Sequence, residues 1–198
     1  ISVTGVQTCA LPISAVAAGA KRLLSIAAGV SIATLQQAAG AGVAVVRSMP
    51  NTPALVGKGA AGIAGGQSAT AADLDWAESI LGSVGTVVRV PEAQLDAVTG
   101  LAGSGPAYIF LVAEALTDAG VLAGLSRANS EALVTQLLVG SAALLADRGN
   151  PAQLRANVTS PGGTTAAGLR ALEDHAVRAA FIDAVVSATA RSVELGAK

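Results

Sequence analysis

RLLSIAAGVSIATLQQAAGAGVAVVRSMPNTP, residues 22–53, alternates two kinds of pattern, and the alternation sets the fold class. Residues 22–28 (RLLSIAA) form a short apolar run closed by Ala28-Gly29, which reads as a buried strand. Ser31 then stands where a helix start needs an oxygen for its unpaired N–H groups, and Gly40 stands where that helix stops. Residues 42–48 (GVAVVRS) are β-branched and run into Met49-Pro50-Asn51-Thr52-Pro53, so they read as a second strand ended by a turn. Further on, residues 60–65 read as a third strand and 70–81 as a helix with Trp76 packed on the sheet. Residues 85–90 (GTVVRV) read as a fourth strand. Strands alternating with short helices predict a mostly parallel, doubly wound α/β sheet. Ligands of such sheets bind beyond the carboxyl ends of the strands, where the Ala28-Gly29 and Met49–Pro53 turns fall.

After Pro91 the strand signals vanish. Residues 95–101 read as helical, and Gly103-Ser104-Gly105-Pro106 restarts a helix that Ser104 caps and Gly120 ends. Ile109, Val112, Leu116 and Ala119 make its expected buried stripe. Ser126 opens the next helix, with Leu133, Val134, Leu137, Leu138, Leu144 and Leu145 on one side and Gly140 permitting close contact. Glu114 and Asp118, four residues apart, are expected on a solvated face. The apolar stripes exceed what a four-helix monomer hides, so a helical dimer interface is expected. The domain reading is therefore residues 15–91 as an α/β domain, and 92–198 as an all-α domain.

Composition narrows the function classes. Of 198 residues, 52% are hydrophobic but only 2% aromatic, so the apolar content is mostly Ala, Val and Leu, suited to closely packed helices. A net charge of −1 with so few aromatics offers neither the basic footprint nor the stacking platforms of a nucleic-acid binder. The uncharged run 23–46 is long enough to span a bilayer, but Gln36-Gln37, Ser31, Thr34 and the glycines at 29, 40 and 42 break it, so no membrane span is expected there. A single cysteine, Cys9, gives no intrachain disulfide and fits a cytoplasmic setting.

Residues 3–14 (VTGVQTCALPIS) match no periodic template and resemble the conceptual translation of a sequencing-library adapter. Residues 1–14 are accordingly expected to be non-native. They lack the basic start of a signal peptide and the Arg-rich amphipathic pattern of a transit peptide.

The chemistry concentrates at residues 158–169 (VTSPGGTTAAGL). After Pro161, the Gly162-Gly163 pair can turn sharply through positive φ, and Ser160, Thr164 and Thr165 place hydroxyls at the mouth of an amphipathic helix. Backbone N–H groups and the helix dipole favour a small anion there. No conventional acid–base or nucleophilic set accompanies it. The single His175 sits on a charged turn with Glu173, Asp174 and Arg178, and one Cys with one His builds no zinc site. Neither G-x-G-x-x-G nor a Walker loop occurs. Such a chain points to a cofactor that carries the chemistry while the protein orients it.

Three segments taken together, residues 46–53 (VRSMPNTP), 96–108 (DAVTGLAGSGPAY) and 158–165 (VTSPGGTT), resemble the pyrroline-5-carboxylate reductase family in order and spacing, from about Leu23 onward. That resemblance implies reduction of L-Δ1-pyrroline-5-carboxylate to L-proline with NADPH or NADH. It implies a Rossmann-like N-terminal domain and a helical domain that interleaves two protomers, with larger rings of dimers in some members. Carried over by position, Thr165 would hydrogen-bond the substrate's ring nitrogen as the catalytic contact. Ser160, Gly163 and Thr164 would hold its carboxylate, with Gly162 in the same substrate-binding turn. Ala28, Gly29, Met49, Pro50, Asn51 and Asn157 would line the cofactor. The family's first strand and Gly-rich turn should precede residue 15 and do not, so this chain is expected to bind cofactor poorly. Another two-domain imine or hydroxyacid reductase, or a non-catalytic helical dimerisation module, stands as the alternative.

Overall fold

The computed structural model describes residues 19–196; the segment read as adapter-derived, with Cys9, lies outside the described residues. Two compact units emerge. The first runs to Pro106 and resumes at Ala184, and the second is Ala107–Asp183.

The first unit is built on a four-stranded sheet, in the order β1 (Arg22–Ser25), β2 (Ala44–Met49), β3 (Gly59–Gly65) and β4 (Gly85–Arg89). Helix α1 (Ile32–Ala39) joins β1 to β2, and α2 (Ala71–Gly82) joins β3 to β4. Both of those pairs are parallel, as a helical crossover requires. The β2–β3 pair is antiparallel, so the sheet is mixed while two of its three pairs are parallel, in keeping with the mostly parallel expectation. The connection from Met49 to Gly59 holds only the 3₁₀ turn Thr52–Val56, too short to carry the chain back for a parallel partner. β1 is also shorter than residues 22–28, because the ladder with β2 ends at Ser25–Arg47 and Ser25 Oγ accepts the Ala27 N–H at 3.3 Å, bending the chain away.

Alternation along the strands covers both sheet faces. Val45 and Ala64 pack with Ile32, Leu35 and Ala39 of α1 and with the fully buried Leu95. Val46 and Ile63 pack with Ala77 of α2 and the partly buried Trp76, as the sequence predicts for the tryptophan. Ser31 caps α1 by accepting the Thr34 N–H at 3.1 Å, and Gly40 closes it at φ 82°. The uncharged run 23–46 is thus β1, α1 and β2.

At the start of α2, the buried Asp73 carboxylate accepts from the Thr70 hydroxyl at 2.7 Å, the Thr70 N–H at 2.8 Å and Arg22 Nε at 2.6 Å. Arg22 also lies over the Trp76 ring, 5.6 Å from its centroid. The Thr70 bonds and then Arg22 hold the Asp73 carboxyl at about 2, below its ordinary 3.8. A depressed folded-state pKa contributes stability that is complete above the unfolded value and is lost as pH falls from about 4 toward 2. Melting followed by the fluorescence of Trp76, the single tryptophan, should show that decline, and Asp73→Asn should flatten it.

The run from Glu92 to Leu122 is helical with changing pitch: a 3₁₀ turn Glu92–Gln94, α3 (Leu95–Val98), a π turn Thr99–Gly103, and α4 (Gly105–Leu122). Ser104 does not cap α4 as expected. It is itself helical (φ −83°, ψ −22°) and its N–H donates to Thr99 O at 2.8 Å, so the chain passes through without a break. Gly120 does not end α4 either. A Cβ there would stand 2.1 Å from Ser130 Oγ, and the buried Ser130 donates to Thr117 O at 2.8 Å, so Gly120 is where α4 meets the next helix. The close contact expected at Gly140 is made here instead; nothing lies within 4 Å of a Cβ at Gly140.

The second unit contains the rest of α4, α5 (Arg127–Arg148, capped by Ser126), α6 (Pro151–Asn157) and α7 (Thr164–Asp174). The last helix, α8 (Val177–Gly196), begins in this unit and ends in the first. The stripe expected to be buried on α4 is open: Ile109 is 50% and Leu116 39% exposed, and on α5 only Val134 of the predicted apolar side is buried. Among the described residues nothing is laid over these faces. Glu114 and Asp118 are exposed as expected, with Asp118 accepting from Arg127 at 2.8 Å. Residues 92–122 are also long and apolar enough, by composition, to cross a membrane.

Candidate functional site

In the second unit, one loop gathers Asn157, Ser160, Gly162, Gly163, Thr164 and Thr165. Gly163 N–H donates to Ser160 O at 3.0 Å with Pro161 and Gly162 between them, and Gly162 is at φ 68°. That is a β-turn with proline at its second position and an obligate glycine at its third. Gly163 is the N-cap of α7, at φ −78° and ψ 171°, and no side chain caps the helix. The first intrahelical bond is Ala167 N–H to Gly163 O at 3.2 Å, so the N–H groups of Thr164, Thr165 and Ala166 precede the hydrogen-bonded ladder. Ser160 and Thr164 are exposed and Thr165 half-buried. A Cβ on Gly163 would stand 2.3 Å from Ser160 Oγ, so the missing side chain is what lets the serine hydroxyl lie over the helix mouth. Hydroxyls, bare N–H groups and a positive helix end on one exposed loop suit a small carboxylate. Asn157, the last residue of α6, accepts from Gln153 Nε2 at 2.8 Å.

In the first unit, the other expected residues occupy two turns at the same end of the β1–β2 pair. Ala28 is exposed, and Gly29 takes φ 74°, left-handed backbone that only glycine adopts without strain. The end of α8 closes on this turn, with Leu195 O 3.5 Å from a would-be Gly29 Cβ. Met49, Pro50 and Asn51 leave β2 half-buried against the π turn: Met49 Cε lies 3.1 Å from where a Gly103 Cβ would be. Asn51 Nδ2 donates to Ala102 O at 3.0 Å and Asn51 Oδ1 accepts the Ala60 N–H at 2.8 Å. Its carboxamide therefore ties strand to turn. Asn51→Ala should lower the stability of this unit by about 2 kcal/mol, the cost of stranding two part-buried backbone groups. Urea unfolding followed by Trp76 fluorescence measures it.

Sequence reasoning passed over Arg47 and assigned no role to Glu92. Glu92 Oε1 accepts the N–H of Ile32, the first residue of α1, at 2.6 Å and Arg47 Nη1 at 3.2 Å. Arg47 is 8% exposed. With Gly29, Ser31, Ala93 and Asp96 these two residues line an open cleft of about 420 Å³. The N-terminus of α1 is thus served by the protein's own carboxylate. A lone cation inside the β-branched run 44–49 was the signal for a buried ion pair. Asp96, which also lines the cleft, accepts from Ser192 of α8 at 2.6 Å. His175 is exposed at the end of α7, as expected for a surface residue. Among the described residues no three His, Cys, Asp or Glu side chains gather as a metal site.

Residues 92–195 match the family described as pyrroline-5-carboxylate reductase dimerisation. The pyrroline-5-carboxylate reductase of Methanosarcina acetivorans is 49% identical over 179 residues, 90% of this chain and 66% of that one. The Synechocystis enzyme of the same name is 48% identical over 189 residues, 94% of this chain and 70% of that one. Among solved structures, the Coxiella burnetii pyrroline-5-carboxylate reductase superposes with a TM-score of 0.85 at 39% identity, over 88% of this chain and 65% of that one. The Plasmodium falciparum pyrroline carboxylate reductase with NADP bound gives 0.80 at 37%, over 87% and 66%. The chain spans about two thirds of the length of the relatives it matches.

Proposed function

Because the chain belongs to the pyrroline-5-carboxylate reductase family, we propose that the protein reduces L-Δ1-pyrroline-5-carboxylate to L-proline with NADPH or NADH. The observation that carries this reading is the Ser160–Gly163 turn that presents the open N-terminus of α7 with two threonines behind it. The substrate's carboxylate lies on Ser160, Gly163 and Thr164, with Gly162 shaping the turn, where it accepts hydrogen bonds from N–H and O–H donors. The protonated ring nitrogen donates to the Thr165 hydroxyl. A cyclic imine that already carries its proton needs no separate acid, which suits a loop without carboxyl or imidazole groups. What remains for the protein is to hold the ring at near-attack distance, about 3–3.5 Å from the hydride donor.

The dinucleotide, when bound, supplies the hydride. Ala28, Gly29, Met49, Pro50 and Asn51 line its nicotinamide end. The residues present fit that half. Gly29 offers backbone with no side chain, and the cleft beside it falls within the size range of small-molecule sites. The NADP bound by the Plasmodium falciparum relative supports the same cofactor class.

A second copy of the chain covers the apolar faces of α4 and α5. Phe110 at 62% and Leu111 at 65% exposure are the kind of surface a partner buries, and the match of residues 92–195 to a dimerisation family supports a protein partner for the apolar run 92–122. The proposed assembly is a homodimer, extended in some assemblies to a ring of dimers, with 92 as the proposed start of the helical half and the cytoplasm as its proposed setting. Incubating the chain with NADPH and L-Δ1-pyrroline-5-carboxylate tests the reading: loss of NADPH absorbance with formation of proline is expected. A dimer with neither result overturns it in favour of a non-catalytic dimerisation module.

A further inference from the structure

We propose that Glu92 is a positioning residue for the dinucleotide, one carboxylate oxygen holding both the first N–H of α1 and the buried Arg47 so that the turn carrying Gly29 is fixed in place. The proposal rests on the reductase reading for its ligand and on the following geometry for its cause. β1 stops pairing at Ser25, and α1 begins at Ile32. Between them the chain passes through Gly29 at φ 74° without a ladder to define it. The Ile32 N–H bond to Glu92 Oε1, at 2.6 Å, pins the far end of that turn, three residues beyond Gly29.

The same oxygen takes Arg47 Nη1 at 3.2 Å. Arg47 lies on β2 two residues before Met49, so Glu92 joins the two turns expected to meet the nicotinamide end. A guanidinium only 8% exposed needs a partner, because an unpaired buried charge is strongly destabilising. Glu92 reaches both groups because it opens the 3₁₀ turn straight after β4 and Pro91. Arg47 and Glu92 stand in the wall of the cleft beside Gly29, so the turn cannot shift without changing the cleft's shape.

The test uses the full chain with NADPH as the probe. Glu92→Ala removes both bonds, Glu92→Gln retains an acceptor at the same reach, and Glu92→Asp retains the charge but shortens the reach to Ile32. Amide hydrogen exchange should accelerate by about 10-fold or more across residues 26–33 in Glu92→Ala, with β3 and β4 unchanged, and stay near the parent in Glu92→Gln. NADPH affinity, read from nicotinamide fluorescence, should fall about 10-fold in Glu92→Ala and stay within about 3-fold in Glu92→Gln. If Glu92→Ala does not fold by Trp76 fluorescence, Glu92→Asp carries the same expectation for exchange and affinity. Unchanged exchange across residues 26–33 overturns the proposal. Faster exchange with unchanged affinity overturns it as well, leaving Glu92 a purely structural residue. Absence of NADPH binding by the unsubstituted chain overturns this proposal, whereas the reductase reading is decided by turnover.

Discussion

Gly85→Ala should unfold the sheet unit under conditions where the parent chain is stable. Gly85 pairs with Gly59 across the parallel β3–β4 ladder, and the backbones approach so closely that a Cβ on Gly85 would stand 2.0 Å from Gly59 O, 2.5 Å from its carbonyl carbon and 2.6 Å from its Cα. All three atoms are backbone, so no rotamer change relieves the clash. The strands must part, which sacrifices the neighbouring Gly59 N–H bond to Val84 O at 2.8 Å. Overpacking typically costs about 1–3 kcal/mol where side chains can yield, and a backbone clash belongs at or above the upper end. Against a typical domain stability of about 5–15 kcal/mol, that is a large fraction. Urea unfolding followed by Trp76 fluorescence reports on this unit, because Trp76 packs in the same cluster as Val87 of β4. Gly82→Ala, at the end of α2 with nothing within 4 Å of the new methyl, is the control and should change little. Equal midpoints for the Gly85 variant and the parent would refute the close-approach argument.

Thr165→Ala should lower turnover by roughly 10–100-fold with little change in fold, the usual scale for losing one orienting contact to a reacting group. Thr165 is the second residue of α7 and half-buried, so its hydroxyl is held by the helix rather than by a mobile loop. Substitution by alanine suits the helix backbone, and the ladder from Ala167 onward does not involve the side chain. Thr165→Ser restores the hydroxyl and should recover most of the rate. Full turnover by a folded Thr165→Ala protein removes the residue from the mechanism.

Local signals in the chain were strong where backbone geometry is dictated within a few residues. Ser31 and Gly40 bound α1, Ser126 caps α5, and Pro161-Gly162-Gly163 makes the turn that sequence alone required. The positions of strands and helices followed from the same periodicities, because β-branched runs and amphipathic stripes carry their own length. Ser104 and Gly120 misled. A serine or a glycine reads as punctuation until a neighbour is known, and at Gly120 the neighbour is Ser130 at a helix crossing. The site was legible as two sets of residues, since loop chemistry is local. The pairing of Glu92 with Arg47 and Ile32 was not, because those residues stand 45 and 60 positions apart in the chain and only the sheet brings them together.

By itself the sequence determined the α/β-then-α order, the turn at 160–163, the threonine-bearing helix start and the family to which these belong. Each depends on φ/ψ preference, capping or side-chain type over a short span. Tertiary structure alone decided that β2 and β3 run antiparallel, that Asn51 ties a strand to the π turn, and that α8 returns its last residues to the sheet unit. It also left the apolar faces of α4 and α5 open. Those features depend on which distant surfaces meet, and burial energy is gained only when partners far apart in the chain, or on another copy, supply the matching face.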